Sequence, residues 1–326
     1  FWERSRQTKY RMTVCGTYMD GRSWIGGYAG GGYGASAIKH AGGGPWALGL
    51  AHEWGHGLPL QPKGGAGGET FADHCQLIAD PARMDKLKKG VNRPFLNCVH
   101  ARYGGMLFCT VMEDDPNWGY AMLIALPYGG EPSLYHTLAR VGEQRGLFEN
   151  GIRGVGDMMG EYAARLAELD CEMQDILRRY FICVKRTSLE AVDRDAGLYR
   201  VPWAEAPVTF SANVVRLVPD QDAKKITVDL RGLYDPNTYS DWRACIVAVD
   251  KHGKVRYSDL WNKGEMEMER QPGNRRFWLT VSAAPWALPT LPDGNLGELA
   301  YPCPYEVKLS GCRPGTPHVM PGDVDD

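Results

Sequence analysis

The sequence has no apolar run approaching the ~20 residues needed to cross a bilayer, so no membrane span is expected. It has no excess of charge of either sign. Its 37 Lys and Arg stand against 39 Asp and Glu, a net charge of −2, which argues against nucleic acid as a partner, because such binders normally carry a basic face. No two of its nine cysteines form a C-x-x-C pair, which removes a thiolate zinc ribbon and a thioredoxin-type site. It also lacks the Lys-Ser/Thr ending of a phosphate loop and the strand–glycine–helix order of a dinucleotide fingerprint, despite 40 glycines. The chain opens at Phe1 with neither Met nor a signal peptide. That reads as a processed or truncated start, so the missing leader is uninformative.

At 326 residues the chain exceeds one average domain and points to two. Its apolar content of 44% and charged content of 23% are those of an ordinary globular protein. The glycines cluster between residues 21 and 44, after a strand-like stretch at Tyr10–Tyr18. The cluster reads either as a flexible loop or as an edge strand whose bare backbone pairs with an extended substrate. Cys303 and Cys312 are the nearest candidate disulfide, followed by Cys98 and Cys109, and an oxidising compartment is compatible with that usage.

The stretch with the most chemistry is Ala51–Leu58, which contains His52, Glu53 and His56 in the pattern H-E-x-x-H. Positions four apart share a helix face, so both imidazoles can approach one ion with Glu53 between them. Pro45 suits a first helical turn, and Trp46, Leu48, Leu50 and Trp54 supply apolar surface to bury that helix. Two neutral imidazoles plus a carboxylate suit Zn2+ with one position left for water. Zinc lowers the pKa of that water toward ~7, and a neighbouring carboxylate can take the proton. Without a metal, the same residues are a surface helix with two histidines.

After a glycine-rich turn at 62–68, a second helix is expected from Glu69 to Ala79, stopped near Asp80-Pro81. H-E-x-x-H followed by a helix that begins E-x-x-x-D resembles the gluzincin branch of the zincin metallopeptidases. The resemblance implies that His52, His56 and Glu69 bind zinc, that Glu53 is the general base, and that Asp73 accepts a hydrogen bond from a ligand imidazole. His74 is a rival third ligand. The gap from His56 to Glu69 is shorter than in thermolysin-like enzymes and closer to the enhancin-like, mucin-directed peptidases. An oxyanion donor is also required. Tyr135 and His136 lead a group of candidates that includes Tyr103, His100 and Tyr162.

Residues 81–200 read as mainly helical, with clear periodicity over 133–142 and 157–167. Arg200–Pro207 contains two prolines and serves as the boundary. Beyond it come about seven short alternating segments, as in a β-sandwich, with Asp250–Gly253 as a hairpin turn. The expected architecture is therefore α+β. A zincin-like catalytic domain over 1–203, mostly helical after a short N-terminal sheet, precedes an all-β sandwich with a C-terminal tail over 204–326. The arrangement resembles a poorly characterised family of secreted bacterial proteins, through Gly160–Arg165, Arg256-Tyr257-Ser258 and Val281–Pro285. That likeness implies a secreted, extracellular or periplasmic location.

The leading expectation is a secreted zinc peptidase or glycopeptidase acting on a protein or glycoprotein substrate. Two others stand beside it: a non-catalytic surface or matrix protein, structural or glycan-binding, on a retained zincin scaffold, and a zinc hydrolase of non-peptide bonds. Trp242, Trp261 and Trp278 are candidates for glycan contact through the sandwich, or else residues of its core.

Overall fold

Alternation decides one sheet and its absence decides the other. In the computed structural model, which describes residues 11–15, 24–28, 66–79, 106–119, 133–180, 186–235, 239–288 and 301–316, strand β6 (Lys225–Gly232) buries Ile226, Val228 and Leu230 and turns the residues between them outward. Strand β7 (Trp242–Asp250) instead buries every residue from Ala244 to Val249, because both of its faces are covered.

The strands form two five-stranded antiparallel sheets. The first has the order β12 (Cys312–Pro314), β5 (Ala212–Pro219), β10 (Asn274–Ala283), β7, β8 (Val255–Tyr257). The second has the order β3 (Glu190–Asp193), β4 (Leu198–Arg200), β11 (Tyr305–Ser310), β6, β9 (Gly264–Glu269). A separate two-stranded pair joins β1 (Arg11–Cys15) to β2 (Trp24–Tyr28), so part of the glycine-dense stretch is a strand.

The two large sheets enclose one core. Val215, Ile246, Phe277 and Leu279 of the first sheet pack with Ile226, Val228, Tyr305 and Val307 of the second. The outer face of the first sheet carries a helical layer. There Val214, Cys245, Val247, Val249 and Trp278 pack against Leu77, Leu107, Ala164, Leu166 and Leu177. These residues come from α1 (Ala66–Ala79), α2 (Met106–Met112), α4 (Gly151–Leu166) and α5 (Gln174–Tyr180). Helix α3 (Leu134–Gln144) packs beside α4 with Phe148 between them. Among the described residues no helix is long and apolar enough to cross a membrane.

This corrects the expected fold class. Among the described residues the structure is predominantly β, two large antiparallel sheets with a few short helices, and not a mostly helical zincin-like domain followed by a sandwich. The periodicity of α4 misleads because it marks a helix that covers a sheet. Gly156 and Gly160 lie one turn apart on its sheet-facing side. A Cβ at Gly160 would stand 2.7 Å from Cβ of Arg243, and one at Gly156 would stand 2.9 Å from Cβ of Ala284. Glycine at both positions lets the helix axis approach the strands. Arg243 then reaches across to Asp157, Nε to Oδ1 at 2.5 Å. Of the segments expected to be helical, 82–87 and 120–126 lie outside the described residues.

Cys303 and Cys312 are not a disulfide; both are free, buried thiols. They sit beyond opposite ends of β11, whose six residues span ~20 Å, against the ~6 Å Cα separation of a disulfide.

Candidate functional site

Helix α1 is the element on which the sequence-derived site and the described structure meet. Its backbone places Glu69 in the first turn and Asp73 one turn later. Thr70, Asp73, His74 and Leu77 are buried, the i, i+3, i+4, i+7 stripe of an inward helix face, and Ile78 points to solvent. That stripe is polar for three of its four members. A buried carboxylate is costly unless the surroundings hold its charge, so Asp73, 1% exposed, marks a place where polarity is selected over packing.

Helix α2 and the turn after it supply the other wall. His74 Nδ1 lies 3.0 Å from Thr110 Oγ1, and its Nε2 lies 3.4 Å from Glu113 Oε2. Both ring nitrogens therefore have protein partners, which sets His74 against the part of third metal ligand. Cys75 beside it has its thiol pushed up to about 12, mainly by burial and further by Glu113, so it stays protonated.

His52, Glu53 and His56 lie outside the described residues, as do His100 and Tyr103. For Glu69 the backbone is described and its side chain is not. Among the described residues no group of three His, Cys, Asp or Glu side chains could hold a metal ion. The donor set proposed from the sequence, two imidazoles and one carboxylate, suits zinc by its chemistry, and the α1 backbone places Glu69 four residues before buried Asp73.

The two leading oxyanion candidates are neighbours on α3. Tyr135 is fully buried, its ring 4.5 Å from that of Phe210. His136 Nδ1 lies 2.7 Å from Oγ of Ser133, the residue that caps α3. Tyr162 stands edge-on to Phe108, with ring centroids 5.3 Å apart.

A second polar cluster escaped the sequence. Trp118 Nε1 donates to Glu161 Oε2 at 2.7 Å, and Arg165 Nη2 lies 3.2 Å from Asp115 Oδ2. Asp115 Oδ1 accepts from the backbone N–H groups of Asn117 and Trp118. Burial, and then the charge of Asp115, hold the Glu161 carboxyl above the usual glutamate range, while Trp118 and Arg165 act against them. Glu161 therefore keeps its proton to higher pH than an ordinary glutamate. The only hint in the sequence was its place in the Gly160–Arg165 stretch.

The three tryptophans offered for glycan contact are buried, and each indole N–H is used internally. Trp242 donates to Cys303 O, Trp261 to Gly264 O and Trp278 to Glu168 Oε1. Their faces are core surface and are closed to a ligand.

A family profile, described as a family of unknown function (DUF6055), matches residues 152–316, just over half of the chain. The chain belongs to the DUF6055 family. The part shared with DUF6055 runs from α4 through β12, taking in Glu161, Arg165 and both large sheets and leaving α1, Asp115 and Trp118 upstream. No curated protein matches the sequence. Among solved structures the chain is similar to the Yersinia pseudotuberculosis-derived mitogen, at 7% identity over 40% of this chain and 99% of that one. The TM-score of 0.21 is too low for that likeness to carry any argument.

Proposed function

We propose that this DUF6055 member is a secreted zinc-dependent hydrolase of peptide or glycopeptide bonds. His52, His56 and Glu69 would hold the metal, which when bound supplies a Lewis acid and lowers the pKa of a water. Glu53 takes a proton at its carboxylate and returns it to the leaving amine. Asp73 orients a ligand imidazole by accepting its second N–H.

The observation that carries the reading is the burial of Asp73 on α1, one turn after Glu69. A buried aspartate at that position suits a carboxylate that serves an imidazole, and the engaged nitrogens of His74 favour Glu69 as the third ligand. The support from H-E-x-x-H is that of a short pattern.

The test combines metal analysis with substrate profiling. Mass-spectrometric metal analysis of the purified chain should give one zinc, lost in His52→Ala and in Glu69→Ala. Glu53→Gln should retain zinc and lose hydrolysis of casein and mucin-type glycopeptides. A chain without zinc, or one whose hydrolysis survives Glu53→Gln, refutes the proposal.

A further inference from the structure

One end of the sandwich is built from loops whose exposed side chains share one character. At this end β4, β6 and β10 finish and β5, β7 and β11 begin, as their registers show: Ser282 pairs with Ala212, Ala283 with Trp242, Tyr305 with Gly232 and Glu306 with Arg200. Backbone hydrogen bonds bind the loops together across the two sheets. Thr209 N donates to Tyr301 O, Cys303 N to Pro207 O, Leu233 N to Pro304 O and Trp286 N to Tyr239 O. Pro202, Pro207, Pro285, Pro302 and Pro304 stiffen the same loops.

Four large aromatic side chains stand out from this braced end. Trp203 is 71% exposed, Tyr234 57%, Trp286 42% and Tyr301 38%. They come from the three connections β4–β5, β6–β7 and β10–β11, the last supplying both Trp286 and Tyr301, and among the described residues the other exposed aromatic is Tyr257, the last residue of β8. Trp286 is held edge-on by Tyr239, with centroids 4.7 Å apart. Among the described residues, no hydrogen bond engages either indole N–H or either phenol hydroxyl of the four. Leaving four large amphipathic rings in water on a rigid base is unfavourable for folding alone and favourable for binding, because little side-chain entropy is left to lose.

The chemistry of the surroundings selects the ligand. The described loop residues 201–211, 233–235, 239–241, 284–288 and 301–304 contain no Lys or Arg, and their charged groups are Glu205, Asp235 and Asp241. That composition rejects polyanions such as nucleic acid or sulfated glycans. The arginines at the adjoining strand ends are engaged internally, Arg200 by Glu306 and Arg243 by Asp157 and Asp241, so the loops do not offer the arginine that joins Trp and Tyr in protein-binding hot spots. A neutral sugar fits both halves of the surface: its C–H faces meet ring faces, and its hydroxyls meet indole N–H and phenol O–H groups.

We infer that the loop end bearing Trp203, Tyr234, Trp286 and Tyr301 is a binding site for a neutral polysaccharide. The inference does not depend on the metal site. The sugar-facing tryptophans are the two outside the core, and not Trp242, Trp261 and Trp278.

The full chain is tested by affinity electrophoresis in gels containing hydroxyethyl cellulose, xyloglucan, galactomannan or laminarin, with heparin as the polyanion. At least one neutral polymer should retard the chain, with EDTA and in Glu53→Gln alike, and heparin should not. Trp203→Ala and Trp286→Ala should each weaken that retardation by roughly fivefold to tenfold, with the thermal melt of Trp203→Ala unchanged because its ring is exposed. Absence of retardation by all four neutral polymers overturns the inference, as does retardation by heparin alone or retardation that survives the double variant. Sedimentation velocity supplies one more arm: self-association abolished by Trp203→Ala would assign the surface to a second copy and overturn it too.

Discussion

The indole N–H of Trp278 donates to Glu168 Oε1 at 2.7 Å, a contact that spans 110 residues of sequence. The same carboxylate accepts from Arg276, through Nε at 3.0 Å and Nη2 at 2.9 Å, and from Arg178 Nη2 at 2.6 Å. The Arg186 guanidinium lies over the Trp278 ring, 4.1 Å from its centroid. Glu168 thus ties the turn after α4 to β10 through one buried acceptor. Glu168→Ala should lower the unfolding free energy by about 3 kcal/mol, because it strands a buried N–H and two cations. Glu168→Gln, which keeps an acceptor for Trp278, should cost less. Urea midpoints at constant slope measure both, and equal effects of the two variants would contradict the stated role of charge.

Phe148 fills the space between α3 and α4 that two glycines vacate. A Cβ at Gly142 would stand 2.0 Å from the Phe148 ring, and one at Gly154 would stand 2.2 Å from it. Alanine gains ~1 kcal/mol of helix propensity over glycine, yet the clash outweighs it. Gly154→Ala is expected to destabilise by about 2 kcal/mol, and Phe148→Leu in the same chain to recover part of that loss. A thermal-melt cycle checks the sign, and a stabilising Gly154→Ala would overturn the packing account.

The raised carboxyl of Glu161 gives a pH dependence of definite sign. A carboxyl whose folded pKa lies above its ordinary 4.5 contributes stability that is fully present below 4.5 and is lost as pH rises through the folded value. Burial is the main cause, and Asp115 adds to it. Glu161→Gln, which still offers an oxygen to Trp118, should therefore gain on the wild type as pH rises above 4.5 and then level off. Urea denaturation from acid to neutral pH reads the difference. A difference independent of pH would show that Glu161 titrates normally.

The thiols of Cys303 and Cys312 are pushed up by burial, to about 11 and about 12. At pH 8 both should resist iodoacetamide in the native chain and react once the chain is unfolded in urea. Peptide mass spectrometry after labelling reads each site, and the two linked to each other under non-reducing conditions would contradict the structure.

The parts of the structure legible from sequence are those whose cause is local. Ile226, Val228 and Leu230 announce a half-buried strand by period alone. The helical period over 133–142 marks α3. The run from Ala244 to Val249 shows that something covers both faces of β7, without saying what. The helical layer was misread because the periodicity of α4 fits packing on a helix as well as on a sheet. Glycines 156 and 160, which decide for the sheet, look in sequence like ordinary helix weaknesses. The polar clusters were hidden by distance along the chain: Trp118 and Glu161 are 43 residues apart, Glu168 and Trp278 are 110. Of the candidate site, the spacing of Glu69 and Asp73 was legible, and the occupation of both His74 nitrogens was not.

Strand β7 is sealed on one side by the second sheet and on the other by the helices. The sandwich is therefore not a portable cassette. Transplanted from residue 204 onward into another protein, it would carry Cys245, Val247, Val249 and Trp278 as a bare greasy sheet, and Arg276 would lose its Glu168 anchor. Any host accepting this module must take the preceding helices with it or grow a lid of its own.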